Sequence, residues 1–310
     1  MGWDIPLRGP AGEPVDLRRT LASHGVASLP PMLVDEETYQ RLDVTIPLTG
    51  ARPRTVTVTP GTKGHARVEV HGRTPGATAA ESLLVTIRHV LNLDEDLSPF
   101  YEVATKDREL AWVARGAGRM IRSPTVFEEV VKTVCTTNCS WALTTKMVTA
   151  LVEHLGEPAV GAPKDGWMGR AFPTPEAMAA APERFYREVV RSGYRGPYLR
   201  TLSRMVAAGD VDLERLGEPD RDLTDDEVEA TLLGLPGVGP YAAAHIMLML
   251  GRHSRLILDS WTRPKYARVR GSRRLVSDEA ILRRFARYGR YAGLAFWCYV
   301  TGDWVNDHQA

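Results

Sequence analysis

Leu232-Leu233-Gly234-Leu235-Pro236-Gly237-Val238-Gly239-Pro240-Tyr241-Ala242-Ala243-Ala244-His245-Ile246-Met247-Leu248-Met249-Leu250-Gly251 is the stretch on which the fold turns. Gly237 and Gly239 permit the positive φ angles of a tight hairpin. Pro240 suits the first position of a following helix, where its missing N–H would have had no partner anyway. The backbone at Gly237, Val238 and Gly239, with the new helix start, then offers N–H donors to a phosphate. An ordinary helix–turn–helix junction would use the same glycines for packing. Twenty residues beyond Gly239, at the end of the apolar run Leu256-Ile257-Leu258, stands Asp259, followed by Ser260-Trp261-Thr262-Arg263. Asp259 or Ser260 could simply cap the next helix.

Outward from this stretch the chain is helical back to about residue 97. Val126, Phe127, Val130, Val131 and Val134 recur at helical spacing, as do Ala142, Met147, Ala150, Leu151 and Leu155 after a polar break at Thr136-Thr137-Asn138. Thr224 with Glu227 three residues later marks a helix start. Before residue 95 the period is two. Thr55-Val56-Thr57-Val58-Thr59 and Arg67-Val68-Glu69-Val70-His71 flank a glycine-containing turn, which predicts a hairpin. Val44 to Leu48 predicts a further strand, placed at an edge by Pro47. The expected fold class is α+β: a small N-terminal antiparallel β domain over 1–95, then an all-α core over 96–310.

Composition narrows the function. The 310 residues are 44% hydrophobic and 25% charged, the balance of a globular chain. Lys and Arg (39) nearly match Asp and Glu (38), which argues against a strongly basic nucleic-acid coat protein. Twelve Lys or Arg nevertheless fall between Arg252 and Arg290 against Asp259, Asp278 and Glu279, a local basic face suited to phosphates. Cys135, Cys139 and Cys298 are an odd set without C-x-x-C spacing, so neither a disulfide framework, a zinc site nor an iron–sulfur cluster is expected. The absence of a signal-like start or a bilayer-length apolar run predicts a cytoplasmic chain with no membrane partner.

The hairpin and the aspartate twenty residues on together resemble the helix-hairpin-helix DNA glycosylase superfamily, nearest to its 8-oxoguanine and 3-methyladenine branch. Gly193-Tyr194-Arg195 resembles that branch's turn, and Tyr291-Ala292-Gly293-Leu294-Ala295 its closing helix. The resemblance implies a helix-hairpin-helix glycosylase core and a base-excision-repair enzyme that flips a damaged, alkylated or oxidised purine out of double-stranded DNA. It makes Asp259 the catalytic carboxylate, Gly237, Val238 and Gly239 the phosphate hairpin, Asn138 the residue filling the gap left by the extruded base, and Tyr194 with Arg195 the wedge that contacts the opposite base. Arg263 joins them as a DNA contact. Tyr241, His245, Trp141 and Phe296 are expected to form the base pocket. Bifunctional members carry a lysine where Tyr241 stands, so a monofunctional, water-using enzyme acting as a monomer is expected. No cofactor is required, although the resemblance allows K⁺ or Na⁺ at the carbonyls of 234–239. The competing reading is a non-catalytic DNA-binding protein that recognises damaged or distorted duplex.

Overall fold

In the computed structural model, residues 2–218 and 223–305 are described. Five strands, β1 (Gly2–Pro6), β2 (Met32–Val34), β3 (Leu42–Leu48), β4 (Ala51–Pro60) and β5 (His65–Val70), form one antiparallel sheet in the order β1-β5-β4-β3-β2. The period-two pattern sets which face is buried. Val56 and Val58 lie opposite Val70 and Val68, and Val44 opposite Val56, with all five side chains inside. The strand carrying Pro47 is not at the edge. β3 runs between β4 and β2, and the register shifts between Ile46 and Leu48, so the proline is accommodated at an irregularity where the ladder is already broken.

Short α1 (Leu17–Leu21) follows β1, and α2 (Ala77–Val90) lays Leu83, Ile87 and Val90 on the sheet at helical spacing. Ile121 joins this sheet core from further along the chain. The rest is helical: α3 (Ser98–Ala104), α4 (Val126–Thr136), α5 (Trp141–Leu155), α6 (Pro175–Ala180), α7 (Arg195–Ala208), α8 (Asp225–Leu233), α9 (Pro240–Met249), α10 (Thr262–Val269), α11 (Asp278–Phe285) and α12 (Ala292–Thr301). Thr224 and Glu227 close the predicted capping box at the start of α8. The expected α+β architecture is the observed one. Among the described residues no helix is long and apolar enough to cross a membrane.

Two apolar cores fill the helical part, and α9 belongs to both. Ala242, Ala243, Ile246 and Met247 pack with α4, α5, α7 and α8, while Ala244, Leu248 and Met249 pack with α3, α10, α11 and α12. A helix apolar all round is a buried helix. The segment after the hairpin is therefore the axis of the molecule, and its exposed end is the hairpin itself.

The sheet is tied to the helices by buried ion pairs. Arg119 donates to the backbone oxygens of Asn92 and Glu95 at 2.6 and 2.7 Å and pairs with Glu13 at 2.5 Å. Glu95 accepts from His253 at 2.7 Å and pairs with Arg122 at 3.1 Å, and these two neighbours hold its carboxyl well below the usual range despite burial. Removing one partner from such a pair strands a buried charge.

Candidate functional site

A cleft of about 1210 Å³ opens where the hairpin, the α4–α5 turn, the α10 start and the loop after α1 meet. The hairpin is built by one positive φ, not two. Gly237 takes φ +83°, and a Cβ there would meet Tyr198 and Val134 at 3.1 Å. Gly239 is extended at φ −106° and ψ −177°, caps α9 without a side chain, and has open space where a Cβ would stand. Val238 spends its N–H on Leu235 O at 3.2 Å, so its backbone is not the free donor the sequence suggests. The N–H groups of Gly237 and Gly239 donate to no backbone carbonyl among the described residues. With Pro240 at the first position, the α9 start presents donors and a positive dipole end to the cleft.

Asp259 stands at the second helix start. Its Oδ1 accepts from Trp261 N at 2.8 Å and Thr262 N at 2.6 Å, and its own N–H donates to Thr262 Oγ1 at 2.9 Å. The preceding Leu256–Leu258 run is a loop rather than a strand. The structure thus realises the capping role that the sequence allows for Asp259. Oδ1 is committed to the helix, and Oδ2 has no partner among the described residues, while Asp259 as a whole is half-buried and lines the cleft. Nearby, the Tyr241 hydroxyl lies 3.4 Å from Thr136 Oγ1. Burial raises the Tyr241 phenol above its ordinary value, and the Asp259 charge adds to the rise.

His245 lies one turn along α9 from Tyr241, with ring centroids 6.1 Å apart, and is 4% exposed. Burial, helped by His24 alongside, pushes its imidazole down to about 4, so it is neutral at pH 7. Trp141 is 46% exposed and lines the wall opposite. These three expected pocket residues are brought together. Among the described residues no group of three or more His, Cys, Asp or Glu could hold a metal ion.

No family model matches the chain. Three curated proteins do. A DNA-3-methyladenine glycosylase of Bacillus subtilis is 25% identical over 170 residues, 54% of either chain. A probable N-glycosylase/DNA lyase of Methanothermobacter thermautotrophicus is 26% identical over 222 residues, 64% of this chain and 67% of its own. An N-glycosylase/DNA lyase of Arabidopsis thaliana is 31% identical over 199 residues, 62% of this chain and 51% of its own. The chain thus spans about half to two thirds of the length of these relatives. Among solved structures, 3-methyladenine DNA-glycosylase from Archaeoglobus fulgidus superposes with a TM-score of 0.73 at 20% identity, covering 98% of this chain and 99% of that one. Apo 8-oxoguanine glycosylase/lyase from Clostridium acetobutylicum gives 0.69 at 19%, covering 92% and 93%. These similarities in sequence and in fold agree with the resemblance to the helix-hairpin-helix DNA glycosylase superfamily.

Three expected site residues lie elsewhere. Phe296 is fully buried among Tyr266 and Phe285, at 6.1 and 5.3 Å between rings. One residue on a helix is a rotation of about 100°, and it is Trp297 that faces the cleft. Arg195 is 4% exposed; it donates to Thr137 O and its guanidinium sits 4.5 Å from the Tyr194 ring centre, so it braces the α4–α5 turn instead of reaching outward. Arg263 lies outside the cleft lining and is held by both oxygens of Asp278 at 2.8 Å.

Asn138 and Tyr194 do line the cleft and are exposed, 3.5 Å apart between Nδ2 and the hydroxyl. Asn138 holds φ +47° just past the α4 cap, a conformation asparagine tolerates. The structure adds residues the sequence did not single out. Tyr198 lies one turn beyond Tyr194 and packs on Gly237. Trp261 and Trp304 join Trp297, an aromatic that the sequence did offer, in a cluster with centroids 5.6–5.9 Å apart. His24 enters from the N-terminal part. The basic face is also smaller than the count suggests: Arg252, Arg255, Arg263, Lys265, Arg284 and Arg287 all pair with carboxylates.

Proposed function

We propose that this chain is a base-excision-repair DNA glycosylase that hydrolyses the N-glycosidic bond of a damaged purine flipped from double-stranded DNA, without lyase activity. The observation that carries the reading is the Asp259 carboxylate in the cleft, with one oxygen fixed by its own helix and the other unpaired. The relatives and solved structures named above include glycosylases of 3-methyladenine and of 8-oxoguanine, and three of them are named as lyases as well.

The open α9 start would take a DNA phosphate beside the lesion, and Asn138 and Tyr194 would occupy the gap in the stack. As the C1′–N bond breaks, its electron pair leaves with the base and positive charge grows on the sugar. Asp259 Oδ2 stabilises that charge and takes a proton from the attacking water, whose oxygen bonds C1′. Net, the hydroxyl ends on the sugar and the hydrogen on the base. The walls given by Trp141, Tyr241 and the Trp261–Trp297–Trp304 cluster suit stacking on the extruded base. An amine route lacks a candidate among the described residues: none of the lysines there lines the cleft, Tyr241 stands where bifunctional members place one, and Lys265 is paired with Asp303 at 2.5 Å. A K⁺ or Na⁺ ion at 234–239 would draw on the hairpin carbonyls, of which Leu235 O and Gly239 O already accept one bond each.

The two Asp259 cap bonds also suit a purely structural aspartate, and on that reading the chain binds distorted DNA without cutting it. A panel of duplexes with single alkylated or oxidised bases, analysed with and without alkali and with borohydride, separates the readings. The proposal expects abasic sites that break only with alkali, and no protein–DNA adduct. Strand breaks without alkali or a trapped adduct would make the protein a lyase; intact DNA throughout would leave a binding protein.

A further inference from the structure

His24, between α1 and the turn at Gly25–Ser28, is 95% removed from solvent yet lines the cleft beside His245, with ring centroids 5.8 Å apart and the rings edge to face. Its Nε2 lies 2.7 Å from Ile121 O. A carbonyl oxygen only accepts, so that nitrogen carries the proton. Burial lowers the imidazole below its ordinary value, and a neutral ring with Nε2–H leaves Nδ1 a bare lone pair. That atom has no partner among the described residues, and neither does His245 Nδ1. An unpaired acceptor in a buried site is costly unless something fills it.

The neighbourhood holds His24 rigidly. Ser23 O accepts from Trp297 Nε1 at 2.8 Å, Ser23 Oγ accepts from Ile121 N at 3.0 Å, and the Trp141 ring packs within 3.5 Å of where a Cβ on Gly25 would stand. The ring is thus held at the cleft wall beside His245, in one tautomer, with its buried acceptor unpaired among the described residues. A donor to it has to be brought by a ligand or a water.

Building on the glycosylase reading, we propose that His24 is a specificity-determining residue whose Nδ1 accepts a hydrogen bond from the exocyclic amino group of the extruded purine. The N-terminal part of the chain then contributes to base recognition as well as to scaffold. A purine without the amino group leaves the lone pair unfilled and is discriminated against.

The test is the single-turnover rate of base release from paired duplexes: 3-methyladenine against 3-methylpurine, and 8-oxoguanine against 8-oxohypoxanthine, each corrected for spontaneous loss. The wild-type protein is expected to favour the amino-bearing base of the pair it processes by about 10–100-fold, the worth of one buried hydrogen bond. His24→Phe is expected to reduce that preference to within about threefold, and His24→Asn, whose amide oxygen can accept, to keep most of it. An equal preference in wild type and His24→Phe overturns the proposal. Nitrogen-15 NMR of the wild-type protein adds a reading independent of catalysis and of variant folding. His24 is expected as the Nε2–H tautomer, with its Nδ1 resonance moved by free adenine and not by free purine. An Nδ1–H tautomer, or an identical response to both bases, overturns the proposal. Failure of base release from all four duplexes with the NMR response intact would sink the glycosylase reading and leave His24 as an amino-group reader.

Discussion

Two helices begin at the same cleft and begin differently. α9 starts at Gly239 with no side-chain cap and with hairpin N–H groups unspent, whereas α10 has its first turn filled by the Asp259 carboxylate. Every helix start leaves orphan donors, which the protein or a ligand must satisfy. At α10 the protein supplies the acceptor itself, and in doing so fixes the carboxylate's orientation. At α9 the acceptor is left to come from outside. On the proposed function the contrast divides the labour: one start is open to an anion, the other holds an anion in place for chemistry.

The largest effect is expected at the filled start. Asp259→Asn should slow base release by about 10²–10³-fold or more, because the amide keeps the shape and the cap but not the charge. Single-turnover excision of the lesion identified by the duplex panel measures it, with thermal melting expected to change little.

Acid should loosen the axis that leads away from the open start. His245 on α9 and His89 on α2 are held down to about 4 by burial, against 6.5 when unfolded. Between pH 6.5 and 4 the unfolded chain binds protons that the folded chain refuses, so stability present above pH 6.5 is lost as pH falls through this window. Glu128, raised to about 7 by burial, acts in the opposite sense over pH 4.5 to 7 and offsets part of the loss. The net fall, on the order of a few kcal/mol, is read by urea unfolding at pH 7 and pH 5; equal or greater stability at pH 5 would contradict these neutral histidines.

The two hairpin glycines should then separate. Gly237→Ala is expected to destabilise the fold by about 1–3 kcal/mol, since φ +83° is unfavourable for alanine and its methyl meets Tyr198 and Val134. Gly239→Glu should melt like wild type, because the position is open and its φ ordinary, yet weaken duplex binding about tenfold by placing a negative charge where a phosphate belongs. Denaturant midpoints and binding at fixed salt tell the two apart. The smallest effect is expected across the cleft. Asn138→Ala with Tyr194→Phe should slow release of a paired lesion a few-fold more than of a mismatched one, since flipping from a stable pair costs more; equal slowing would exclude both residues from the vacated stack.

What the sequence disclosed follows from where its signals lie. The Gly237–Pro240 hairpin, the Asp259 spacing and the period-two strands are local patterns, and local patterns survive folding. The facing of a residue within a helix is more fragile. Phe296 and Trp297 differ by one position and by a quarter-turn or more, and with both α12 faces apolar nothing in the pattern chose between them. Arg195 reads as a surface arginine until Thr137 O and the Tyr194 ring are brought to it by folding. His24 carries no signal at all, because its meaning depends on Ile121 and His245, which lie 97 and 221 residues further along the chain. Pro47 misled in the other direction: a proline marks an edge or a bulge, and the alternation alone does not say which.

The division of labour between the two helix starts is tested most directly by measuring, in one titration on the same lesion duplex, both the dissociation constant and the single-turnover rate of Gly239→Glu and Asp259→Asn. The account predicts a crossed result. Gly239→Glu should raise the dissociation constant and release base at nearly the wild-type rate once saturated, whereas Asp259→Asn should bind like wild type and release almost none. If Asp259→Asn releases base at the wild-type rate when saturated, or if both variants alter binding alone, the carboxylate at α10 is a cap and nothing more.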